Sequence, residues 1–168
     1  MLEYVTNINA IITNLKAHNT ITATPDLSNG LNLRIDNDNI KAEDPEVVSW
    51  RADMLPAVFA RISFKDEEFE GIGNIGSTAN RVRKMATVTY QIFGITQKYG
   101  GYTEHSNLLD DVYTLGRNIE GVINQETRMS NTALWTNLET TEFYSPVAFE
   151  GLWTKVVSIT VKGKYLYK

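Results

Sequence analysis

Two periods of apolar and polar residues run through this chain, and where one gives way to the other the elements begin and end. Tyr4, Ile8, Ile11 and Leu15 recur at three- and four-residue spacing, with Val5 and Ile12 widening the stripe. That spacing predicts an amphipathic helix over 2–17 with one buried face. From Asn19 to Asp53 the periodicity fails, and TPDLSNG, IDNDN and AEDPE are dense in residues that favour turns. A long surface excursion is expected there, with room for a short strand at 31–35. Val58, Ala60, Ile62 and Phe64 then alternate with Phe59, Arg61, Ser63 and Lys65, which predicts a half-buried strand over 57–64.

After an acidic and glycine-rich stretch at 66–80, Val82, Ala86, Val88, Tyr90 and Ile92 share one face, opposite Arg81, Arg83, Thr87, Thr89 and Gln91. This is a second, longer strand over 81–96. Leu108, Val112, Leu115, Ile119 and Val122, flanked by Leu109, Gly116 and Ile123, give the clearest helical stripe, over 103–125, with Thr103 or Ser106 able to cap its start. Residues 133–144 are rich in Thr and aromatics, a strand composition whose phase is untidy. Trp153, Val157, Ile159, Val161, Tyr165 and Tyr167 alternate with Thr154, Ser158, Thr160, Lys162 and Lys164, predicting a last strand over 152–165. The expected fold is α+β: an antiparallel sheet of about four strands with two helices packed on one face, in the order α-β-β-α-β-β. It forms one domain, 1–168, with an irregular excursion at 19–53, and Ile92, Ile119 and Ile159 belong to its core.

Composition narrows the chemistry. The 168 residues are 42% apolar and 21% charged, the make-up of one globular domain that can build a core without staples. The absence of cysteine excludes disulfides, thiolate nucleophiles and Cys-based metal sites. The net charge of -4 argues against a generic duplex-binding surface, whose affinity comes from clustered Lys and Arg. The longest apolar run, Met54 to Ala60, falls far short of the roughly 20 residues of a membrane span. Glu3 stands where a secretory signal would carry basic residues, so the opening segment reads as mature structure made and used in a cytoplasm.

The motifs that hint at chemistry lack the context it needs. Gly71, Gly73 and Gly76 fit G-x-G-x-x-G, but the fingerprint opens a helix and here a period-two strand follows; a hairpin loop is the expectation. Asp36-Asn37-Asp38-Asn39 opens like a calcium loop, yet Ile40 takes a ligand position, which leaves a turn built from Asx side chains. His18 and His105 are the only histidines and neither has a nucleophile signature beside it. Asp110 and Asp111 are about 100° apart on a helix and do not pair. No catalytic, cofactor or metal residue is assigned. The remaining candidate is the run Asp66, Glu67, Glu68, Phe69 and Glu70, read as a loop at the tip of a hairpin, near Arg81, Arg83 and Lys84. It is either a solvated, salt-bridged end or a surface lining a subunit interface or a lumen, where symmetry multiplies its charge.

The opening helix, the strands LPAVFARISF and RVRKMATVTYQIFGIT, the helix LLDDVYTLGRNIEGVI and the closing strand WTKVVSITVKGKY together resemble a tail terminator or tail-completion protein of a long-tailed bacteriophage. The resemblance is one of architecture over the whole chain. It implies a hexameric ring, a structural virion protein that caps the tail tube and joins it to the head-side connector or stopper protein, assembled in the host cytoplasm. It also implies that DNA meets the protein only in passing through a channel, that no membrane is involved, and that the protein is not an enzyme. Two rival classes are a head-completion or other neck protein of the same virion, and a small α+β enzyme.

Overall fold

The computed structural model describes residues 2–19, 35–44, 56–69, 84–99, 102–129, 133–144, 147–149 and 152–167, with the backbone alone at 68, 69, 84, 98, 99, 102–107, 147–149, 152 and 167. Helix α1 spans Tyr4–Ala17 and α2 spans Tyr102–Gln125. The strands are β1 (Ile40–Lys41), β2 (Ala57–Phe69), β3 (Lys84–Tyr99), β4 (Trp135–Phe143), β5 (Val147–Phe149) and β6 (Leu152–Tyr167). They form one sheet in the order β1-β2-β3-β6-β4, and β5 pairs with the part of β6 that lies beyond β4. No helix among the described residues is long and apolar enough to cross a membrane.

The α+β class expected from the sequence holds, but the sheet is mixed. Short β1 runs parallel to β2, with Ile40 opposite Val58, whereas every other pairing is antiparallel. Two strands, β1 and β5, were not foreseen, so the expected order α-β-β-α-β-β becomes α-β-β-β-α-β-β-β. Both are two or three residues long, too short for a period to register.

Period two determines the central strands. In β3, Ala86, Val88, Tyr90 and Ile92 turn to the helices and are fully buried; in β6, Val157, Ile159 and Val161 do the same. The helices bring Ile11 and Leu15 from α1, and Val112, Ile119 and Val122 from α2, into the same cluster. Ile92, Ile119 and Ile159 are core residues, and burying each contributes on the order of 1.5–3 kcal/mol. Two glycines let α2 lie close to the sheet. A Cβ on Gly94 would come within 2.8 Å of Leu115, and one on Gly116 within 3.2 Å of the Phe143 ring.

The excursion is less superficial than its composition suggests. Ile35 and Ile40 are fully buried within the main core. Asn19 mimics a strand neighbour: its side-chain amide donates to the Ile35 carbonyl, and its side-chain oxygen accepts from the Ile35 N–H at 3.3 Å. The chain therefore leaves and returns at one point, and the strand expected at 31–35 lies outside the described residues except for Ile35, which is not in a strand. The calcium-like sequence folds as a 3-10 turn, Asn37–Asn39, with the Asp36 carboxylate accepting from the Asp38 N–H at 3.0 Å.

Candidate functional site: the acidic end of the β2–β3 ribbon

The carboxylates expected on a loop belong largely to a strand. Asp66, Glu67, Glu68 and Phe69 pair with Thr87, Ala86, Met85 and Lys84, so β2 extends five residues beyond the expected end at Phe64. Ladder hydrogen bonds hold this stretch even though Lys65 and Glu67 stand on one face and Asp66 on the other, which is why alternation could not reveal it. Glu70, the motif Gly71 to Gly76, and Arg81 and Arg83 lie outside the described residues.

A β-bulge sets which way these side chains point. Ile62 pairs with Tyr90 and Phe64 with Thr89, leaving Ser63 as an extra residue. The pleat shifts phase there. Ahead of the bulge the even-numbered residues Val58, Ala60 and Ile62 face the helices; beyond it Lys65 and Glu67 do, opposite Val88 and Ala86. Phe64, grouped with the core face by simple alternation, is thereby turned to the other side and is 62% exposed. The Ser63 hydroxyl ties the irregularity down by donating to the Thr89 carbonyl at 3.2 Å.

The acids are consequently divided. Glu67 lies on the helix side and is ion-paired with Lys65, whose ammonium also sits 5.3 Å from the centre of the Tyr4 ring. Asp66 is exposed on the opposite face, in a row that continues through Thr87 to Lys164 and Trp135. Glu67 is therefore neutralised within the subunit, whereas Asp66 looks away from the helices.

That outward face also carries Arg61, whose guanidinium donates to Asp44 at 2.8 Å and to Gln91 at 3.0 Å and lies over Phe93. Further along, Lys162 pairs with Glu139 at 3.1 Å. Sequence reading missed the exposed apolar residues here, Trp135 and Leu134 at the start of β4 and Leu166 on β6; on the helix side Phe143 is also exposed and meets Tyr113 of α2 edge-on at 4.9 Å. Its signal was the untidy phase of 133–144. A second bulge, between Leu138 and Thr140, shifts β4 as Ser63 shifts β2.

The other residues weighed for chemistry are dispersed. His18 follows the end of α1 and meets Glu126, just past α2, at 3.2 Å, joining the two helix ends. His105 lies near the start of α2, and Asp110 and Asp111 sit exposed on its outer side. Among the described residues no group of three or more His, Asp or Glu side chains is placed to hold a metal ion. The largest buried polar pair is Tyr90 and Tyr165, whose hydroxyls are 2.6 Å apart with Tyr90 donating. Burial pushes the Tyr90 hydroxyl far above the ordinary phenol range, with the neighbouring Tyr165 adding to it, and burial raises Tyr165 too, against the bond it accepts. Inside the core, the pair serves packing. No family model matches the chain, and a search of curated proteins finds none that matches it.

Proposed function

We propose that the protein is a structural component of a bacteriophage virion, a ring of identical subunits that caps the tail tube and joins it to the head-side connector. The acidic ribbon carries this reading. Carboxylates on a paired strand hold their positions, unlike carboxylates on a free loop, and a ring repeats them around its axis. A wall of fixed negative charge repels passing phosphates and keeps a duplex from sticking. The outward face of the sheet, which exposes Phe64 and Trp135, suits a protein that works through surfaces, and the pattern of helices and strands resembles tail terminators over the whole chain.

Light scattering on the purified protein, alone and mixed with isolated tail tubes, tests this directly. The expected result is a hexamer, formed alone or on contact with the tubes. A strict monomer under both conditions overturns the reading, and assembly on emptied heads with no affinity for tubes points instead to a head-completion protein.

A further inference from the structure

We propose that successive copies meet flank to flank, the Phe64–Asp66 side of β2 on one copy docking against the Trp135–Lys164–Leu166 side of β4 and β6 on the next. The inference rests on the self-assembly part of the function proposed above and adds the surfaces that make it. Phe64, Trp135 and Leu166 are 62%, 42% and 40% exposed, and all three stand on the face of the sheet away from the helices. Single exposed apolar residues need no explanation, but a bulge that turns a phenylalanine outward from a strand otherwise able to bury it is a placed feature.

Charge selects the partner. The β2 side of this face carries Asp66, and the β6 side carries Lys164, with β3 between them; Lys162 is already paired with Glu139. Asp66 and Lys164 are therefore opposite charges beside exposed apolar side chains, Phe64 on one flank and Trp135 and Leu166 on the other, so the two patches complement each other. Such a surface recognises a second copy of this chain head to tail, through two different patches, which is the contact type that closes into rings. A contact that set β2 against β2 would instead bring like charges together.

Charge-swapped variants test the docking. Asp66→Lys and Lys164→Glu should each leave the thermal midpoint near that of the parent, because exposed charges contribute little to stability, while each reduces the assembled mass to that of a monomer. Mixed one to one, the two variants should assemble again, since every Asp66→Lys flank then meets a Lys164→Glu flank and every unchanged Asp66 meets an unchanged Lys164. The double variant should assemble alone. If the parent assembles and both single variants assemble equally well, this docking is wrong while the ring reading stands. If the parent is monomeric alone and with tail tubes, both fall. Single variants that dissociate but are not restored by mixing also overturn the pairing, because loss without complementation shows that these charges do not face each other.

Discussion

Tyr90 and Tyr165 place two phenols in an edge-on arrangement inside the core, where neither can ionise without stranding a charge beside its neighbour. Both hydroxyls hold their protons more tightly in the folded chain than in the unfolded one, whose tyrosines ionise near pH 10. The sign follows from that difference. Stability from this pair is complete below about pH 10 and is lost as pH rises through that value, because only the unfolded chain then releases the protons. Denaturant melts between about pH 9 and 11 should show this decline in the parent and a flatter one in Tyr90→Phe/Tyr165→Phe, which removes both hydroxyls and leaves no lone buried donor. Equal slopes would assign the decline to other groups. Gly163 belongs to the same arrangement, since a Cβ there would meet the Tyr165 hydroxyl at 2.8 Å; the missing side chain is the space the ring occupies.

Between helix and sheet the sensitive contact is Gly94 against Leu115. Gly94→Ala would put a methyl 2.8 Å from the Leu115 side chain and 2.9 Å from that of Val157, too close for either to stay where it is. The expected cost is about 1–3 kcal/mol in a denaturant melt, smaller when Leu115→Ala is made together with it. A cost that is additive in the double variant would mean that the helix is not pressed on this strand. The long elements were legible because one face of each is buried: α1, β3, α2 and β6 announce themselves through Ile11, Tyr90, Ile119 and Ile159. Strand phase was legible only up to a bulge. Nothing about Ser63 or Glu139 as residue types says that a strand has gained an extra residue, so alternation alone puts Phe64 on the core face and makes β4 irregular. The acidic run was visible as chemistry, but its secondary structure was not, since charged residues on both of its faces leave no amphipathic signature. Ile40 stood alone among Asp and Asn, and only the folded chain places it under α1.

Across the whole molecule, the acidic ribbon is useful only if it is repeated. Replacing its other acids together, Glu67→Gln with Glu68→Gln and Glu70→Gln, and keeping Asp66 for the contact between copies, should leave assembly and thermal stability unchanged while DNA leaves the virion more slowly or incompletely, most visibly at low ionic strength where screening is weakest. Ejection at the normal rate under those conditions would identify the ribbon as a solvated strand end. The position of β6 has a different consequence, one of timing. Among the six described strands it is the last in sequence, yet it lies between β3 and β4, and it is the described strand that joins the β2–β3 hairpin to β4. During synthesis the sheet therefore remains in two pieces until residues 152–167 have left the ribosome, and pairing β3 with β6 must close a loop that contains all of α2. The sheet waits on this strand, and a nascent chain interrupted before Leu152 exposes the edge of β3 meant for β6, leaving it open to proteases and to aggregation with other unfinished chains.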